Sequence, residues 1–264
     1  VLPVASTSAT SGSNVGTYSI TVSGGSDVNY NFNYVNGTLT ITKATPTVTW
    51  NNPSAITYGT VLGATQLNAT ASVPGTFVYT PASGTILNVG VNQVLSVNFT
   101  PTDATNYNGV TGTTVLITVN KATLTATANN QSRTYGAANP ALTISYTGFV
   151  GSDNASVIDV QPTISTTAVN TTAVGNYPIT LTGGSDNNYN LVLVDGTLTV
   201  NKAILVATAQ DASRVYGATN PAFVISYTGF VNSENSSVLD TPPTASTAAT
   251  VTSAAGTYPI VVSG

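Results

Sequence analysis

Short runs in which apolar and polar residues alternate recur along the whole chain, punctuated by Gly, Pro, Asn and Asp. In Thr197-Leu198-Thr199-Val200, Leu198 and Val200 fall on one face of an extended strand and the threonines on the other. Tyr177–Leu181 and Leu142–Tyr146 predict further strands, as do Val48–Trp50, Thr76–Tyr79, Leu95–Phe99 and Thr114–Val119. Asp195-Gly196, between Asn190–Val194 and Thr197–Val200, predicts a two-residue hairpin whose type I′ turn needs positive φ. Val35-Asn36-Gly37-Thr38 repeats that device. One segment departs from the pattern: Ser152–Ile158 predicts a short helix capped by Ser152, with Asp153 in its first turn. Ser233-Glu234 carries the same signal.

The strands belong to repeats. Residues 122–183 align without a gap on 203–264 at an offset of 81, with 37 of 62 positions identical, which is far beyond chance. The shared skeleton includes Arg133-x-Tyr135-Gly136-Ala137, Asn139-Pro140-Ala141 and Ile144 through Val150. Residues 1–43 align on 160–202: Gly24-Gly25-Ser26-Asp27 matches Gly183-Gly184-Ser185-Asp186, and Gly37-Thr38-Leu39-Thr40 matches Gly196-Thr197-Leu198-Thr199. Residues 44–121 form a variant unit with similar punctuation, including Tyr58-Gly59, Asn106-Tyr107-Asn108 and a closing Val119-Asn120-Lys121. The expected order is the C-terminal part of one repeat (1–43), the variant unit (44–121), a complete repeat (122–202) and the N-terminal part of another (203–264). Each joint is a Lys-Ala step without a Pro- or Gly-rich linker, which favours a semi-rigid array over beads on a flexible string.

Composition narrows the chemistry. Only 5% of residues are charged, against about 25% in ordinary soluble domains. The five basic residues, Lys43, Lys121, Arg133, Lys202 and Arg214, make no patch, and the net charge of −4 does not suit a nucleic-acid partner. The chain has no Cys, Met or His, so disulfides, thiolate nucleophiles, zinc–thiolate sites and a histidine base are all excluded. No apolar run approaches the roughly 20 residues of a membrane-spanning helix. Val1 reads as the start of a fragment rather than a natural start.

The Tyr-Gly-Ala/Asn-Pro segment, the Tyr-Thr-Gly-Phe segment and the Gly-Thr-Leu-Thr-Val-Asn-Lys ending resemble YGX-type MBG repeats, the mucus-binding-protein-like β-grasp domains of large bacterial surface proteins. The likeness covers 122–202 fully and 1–43 and 203–264 in part. Residues 44–121 are similar to the bacterial Ig-like repeats that alternate with them, with Pro101–Tyr107 as the expected tyrosine corner. The expected fold is therefore mainly β: a tandem array of small β domains, β-grasp-like units with one short helix plus one Ig-like β-sandwich. The resemblance implies export, display at a bacterial cell surface and a role in adhesion or as a spacer, with no catalytic residue and no cofactor.

Four sets of side chains carry alternative readings. Asp186 and Asp195, with Asp27 in the first copy, lie in loops that offer oxygens to Ca²⁺, or else serve Asx turns. The counterpart of Asp195 is Asn36, which weakens a charge-dependent site. The tyrosines offer a sugar-stacking surface, but Tyr135, Tyr146, Tyr177 and Tyr189 recur at the repeat period, which points to packing. Trp50, the single Trp, reads as core. Lys43, Lys121 and Lys202 end their units; solvated joint residues are the default, and cross-linking to Asn or Asp the remote alternative.

Three functional expectations follow. The first is a non-catalytic stalk or spacer of an extracellular adhesin or surface filament, its partners being neighbouring repeats. The second is a module that binds host or matrix glycans or mucin. The third is a filament of self-copies: residues 25–43 correspond to the part that 203–264 lacks, so one chain's strands would complete another's last domain.

Overall fold

The computed structural model describes all of residues 1–264 and divides into two compact units. The first comprises Val1–Ala122, Val150–Ser152 and Asn187–Asn190; the second comprises Thr123–Phe149, Asp153–Asp186 and Leu191–Gly264.

The complete repeat has seven strands: Ala122–Ala128, Gln131–Thr134, Ile144–Thr147, Thr163–Ser165, Gly175–Thr182, Tyr189–Val194 and Gly196–Asn201. They form two sheets. One holds the second, seventh, fifth and fourth strands in that order, with the second parallel to the seventh. The other holds the third, first and sixth. The core lies between them, built from Ala126 and Ala128 of one sheet and Ile179, Leu181 and Leu198 of the other, with Ala168 from a connecting loop. Leu198 and Val200 are buried, as their alternation requires, and the flanking threonines lie on the other face. The small side chains of Ala126 and Ala128 let the sheets approach closely, and Gly196 is pressed against the Ala128 carbonyl, where a Cβ has no room.

That close approach corrects the hairpin. Strands Tyr189–Val194 and Gly196–Asn201 belong to different sheets, so Asp195-Gly196 is a crossover between layers. Gly196 is needed for clearance rather than for positive φ. Asp195 accepts a hydrogen bond from the Leu181 amide at 2.9 Å.

The short helix is likewise a different device. Ala155–Val157 is a single 3₁₀ turn capped by Asn154, whose side chain accepts from the Ser156 amide, and Ser236–Val238 repeats it behind Asn235. Neither has an acidic residue in its first turn, so Ser152 and Asp153 do not open a helix. Val160 exchanges two 2.9 Å backbone hydrogen bonds with Ser185, which pulls the chain into β pairing before a second turn forms. The layer facing the four-stranded sheet is thus a sheet, where a β-grasp would carry a helix.

The variant unit follows the same plan. Ile56–Thr57 runs parallel to Val110–Asn120, which pairs with Gly90–Pro101 and then Gly75–Thr80, while Val48–Thr49 pairs with Thr70–Ala71. These are the counterparts of all the strands of the complete repeat except the sixth. Its core gathers Ile56, Leu62, Leu67, Leu95, Val115, Ile117 and Val119, with Trp50 packed against it. Trp50 donates its indole N–H to the Gln66 carbonyl at 3.1 Å and stands edge-on to Tyr79.

The first copy contributes the fourth, fifth and seventh strands as Val4–Thr7, Gly16–Ser23 and Gly37–Ile41. The last contributes two pairs, Val206–Ala209 with Ile225–Thr228 and Thr244–Thr247 with Ile260–Ser263. Residues 212–215, the counterpart of the second strand, are not a strand, because that edge is defined by its parallel pairing with a seventh strand.

Candidate functional site at the repeat joints

The recurring motifs of the sequence converge where one repeat passes into the next. At each of the two joints in the first unit, an Asn-Tyr-Asn loop faces the Val-Gly corner of the preceding repeat. Asn106 accepts from the Val15 amide at 2.8 Å through its side chain and from the Ala44 amide at 2.9 Å through its carbonyl. Asn188 does the same one repeat on, accepting from the Val89 amide at 3.0 Å and the Ala122 amide at 3.0 Å. Ala44 and Ala122 are the alanines of the Lys-Ala steps. The asparagine thus satisfies a backbone donor of the upstream repeat and one of the connection itself, which no apolar side chain could do. Lys43 adds its ammonium to the Ala104 carbonyl at 2.6 Å.

The Tyr-Gly pair supplies a second contact. Tyr58 and Tyr135 each follow an edge strand and donate their amides to Asn120 and Asn201, both at 2.8 Å. The glycines that follow turn the chain at φ 93° and 84°, a region that favours glycine. Their bare faces each receive a valine. A Cβ on Gly59 would lie 2.6 Å from a Val150 methyl, and one on Gly136 would lie 2.5 Å from the Val231 Cβ. Val150 and Val231 occupy the same place in the Gly-Phe-Val segment of successive repeats. Around Gly59, Tyr58 stands edge-on to Tyr189, whose hydroxyl accepts from the Val150 amide at 2.8 Å. Beside Gly136, the Tyr135 hydroxyl donates to the Glu234 carboxylate.

Arg133 locks the socket from behind. Only 6% exposed, it donates to the Asn139 side chain at 2.7 Å and to the carbonyls of Thr134 and Val169, while Asn139 donates to the Ala168 carbonyl at 2.6 Å. The Gly136 amide meets the Asn170 carbonyl of the same loop at 3.2 Å. The Arg-x-Tyr-Gly…Asn motif is therefore one hydrogen-bonded clamp that presents the glycine. Arg214, Asn220, Thr250 and Ala249 repeat it.

The other sequence candidates stand apart from one another. Asp27 accepts from the Asn29 amide at 2.8 Å in an Asx turn, and buried Asp186 accepts from the Asp159 amide at 3.3 Å. Neither these nor Asp195 join a group of three or more His, Cys, Asp or Glu side chains able to hold a metal ion. The recurring tyrosines are structural in the complete repeat. Tyr189 is 1% exposed, whereas its counterpart Tyr30 in the first copy is 76% exposed. The tyrosine corner, a hydroxyl returned to the carbonyl four residues upstream, is found at Tyr18, Tyr177 and Tyr258, with bonds of 2.8, 2.9 and 3.1 Å. It is not what the Pro101–Tyr107 segment builds. There Asp103 accepts from the amides of Thr105 and Asn106, both at 3.1 Å, and from the Asn106 side chain at 2.8 Å. Those bonds, the Asn106 side chain's first, hold the Asp103 carboxyl below its ordinary range.

The asparagines and valines of the joints escaped the sequence reading. Their signal was present, because Asn-Tyr-Asn, Val-Gly, Tyr-Gly and Gly-Phe-Val return in successive units, but periodicity does not say which motif meets which.

Fold and joints together define a tandem array of small two-sheet β repeats. The family model of the MBG domain (YGX type) matches residues 1–40, 124–199 and 205–264, and the chain belongs to that family. MBG domains are repeat modules of surface and secreted proteins. A search of curated proteins matches none to this chain.

Proposed function

We propose that the chain is a non-catalytic spacer of an extracellular bacterial adhesin or surface filament, in which the repeats serve to hold one another in sequence. The observation that supports this reading is the recurrence of the same joint: Asn106 and Asn188 make the same pair of backbone contacts, and Gly59 and Gly136 each cover a valine of the next repeat. A flexible linker would need none of these groups. Here they restrain a connection of two residues, which suits a stalk that must keep a distal module away from a surface. The family's place in surface proteins supports export. The tyrosines that would form a sugar platform are the ones the complete repeat spends on its core, corners and joints, which favours the spacer over a glycan-binding face.

The test is a pair of spin labels at Ser132→Cys and Ser236→Cys in a chain that has no cysteine of its own. A spacer joint gives one narrow distance distribution, and Gly136→Asn broadens it. A distribution already broad in the parent, or untouched by the substitution, overturns the reading. Light scattering at several concentrations then separates a single-chain spacer from a self-assembling filament, whose mass grows with concentration.

A further inference from the structure

The Tyr-Gly socket occurs three times, and the structure shows two of them filled. Gly59, Gly136 and Gly217 sit at φ 93°, 84° and 84°. The first faces Val150 and the second Val231, whereas nothing lies within 4 Å of the Cβ direction of the third. The clamp behind it is already built: Arg214 donates to Asn220 at 2.7 Å and to the Thr250 carbonyl, and Asn220 donates to the Ala249 carbonyl at 2.7 Å. Tyr216 beside it is 71% exposed, where Tyr135 is half-buried against its partner.

Resting on the spacer reading, we propose that Tyr216-Gly217 is a docking surface for the Gly-Phe-Val segment of a further YGX-type repeat joined downstream, with the valine seated on the glycine. The occupant is argued from the two filled copies. Both take a valine, both take it from the same position of the repeat, and in both a side chain on the glycine would collide with it. The requirement is mutual: a glycine at positive φ without side-chain bulk, and a β-branched residue that fills the hollow without needing a polar partner. Asn232, at φ 51° after Val231, stands where the preceding repeat has Gly151 at φ 57°, so the turn behind the valine changes composition while the valine stays. The valine is thus the recognised element.

The experiment lengthens the chain by one period, with residues 184–264 repeated after Gly264, so that the last repeat is completed and a further Gly-Phe-Val follows it. Labels at Ser213→Cys and at the added copy of Ser236 report the new joint, and Ser132→Cys with Ser236→Cys reports the resident one. The expected result is an equally narrow distribution for both pairs. Gly217→Asn should broaden the new pair at least twofold, yet lower the unfolding midpoint of the unextended chain only slightly, because that side chain enters open space and meets no neighbour. Asn is among the few residues that visit positive φ, so the backbone strain it adds is small and is read separately as the shift of that midpoint. Should Gly217→Asn impair folding, replacing the added copy of Val231 with Ser leaves the turn intact and should broaden the same pair. A broad new pair beside a narrow resident pair overturns the proposal alone. So does a narrow pair that neither substitution disturbs. A broad resident pair would instead overturn the spacer reading beneath it.

Discussion

The ring of Tyr58 meets the ring of Tyr189 edge-on, with centroids 5.4 Å apart and planes at 84°. The hydroxyl of Tyr189 accepts from the Val150 amide, and Val150 covers Gly59, the residue after Tyr58. A closed circuit of contacts therefore runs Tyr58, Tyr189, Val150, Gly59. An edge-on pair of this kind adds about 0.5–1.5 kcal/mol beyond the area it buries.

Tyr189→Phe keeps the ring and removes the hydroxyl that accepts from the Val150 amide. Leaving that donor unpaired should cost about 1–3 kcal/mol. Amide exchange at Val150 should quicken in the variant, while exchange in the strand Gly196–Asn201 stays as in the parent. Unaltered protection at Val150 would show that the hydroxyl does not hold it.

Arg133 and Arg214 make the same bonds, but only Arg133 is deeply buried. Arg133→Met leaves the Asn139 oxygen and the Val169 carbonyl short of a charged donor, and should cost about 2–3 kcal/mol. Arg214→Met should cost less than half as much, since water replaces the lost bonds. Urea denaturation of the two variants followed by circular dichroism gives the ratio.

Asp103 gives a pH dependence of defined sign. Its folded-state carboxyl lies below the ordinary value of 3.8, chiefly because the Asn106 side chain and amide donate to the carboxylate, with Lys43 contributing least. Folding therefore favours the deprotonated form. The stabilisation is complete above the unfolded value and is lost as pH falls below it through the folded value. The amide signals of Thr105 and Asn106 should hold constant from about pH 7 to 5 and move together below about pH 4. Asp103→Asn should abolish that movement.

Trp50 packs on the core of residues 44–121 and is the single Trp of the chain. Its fluorescence should report that core alone. Leu95→Ala should lower the fluorescence-detected stability by about 2–5 kcal/mol. Leu198→Ala, in the core of the complete repeat, should leave the fluorescence transition in place while shifting the circular-dichroism transition. A common shift in both would mean that the two cores unfold as one.

Local chemistry was enough for the strands. The alternation of Leu198 and Val200 with threonines names a half-buried strand, because the pleat puts alternate side chains on opposite faces, and both residues are buried. The 81-residue offset names the repeat, and the Tyr-Gly and Gly-Thr-Leu-Thr segments name the family. Other features depended on groups remote in sequence. Asp195-Gly196 has the residues of a hairpin turn, but the strand before it is drawn to Ala122–Ala128 and the strand after it to Gly175–Thr182, so the turn crosses between sheets. Ser152-Asp153 has the residues of a helix start, but the pairing of Val160 with Ser185 stops the turn after Asn154 has capped it. The asparagine of each Asn-Tyr-Asn is an unremarkable polar residue until the Val-Gly amide of another repeat is brought to within 3.0 Å of it. A sequence records which residues recur; which of them meet is decided by the packing of sheets and repeats, since each such contact joins groups that only the tertiary fold brings within bonding distance.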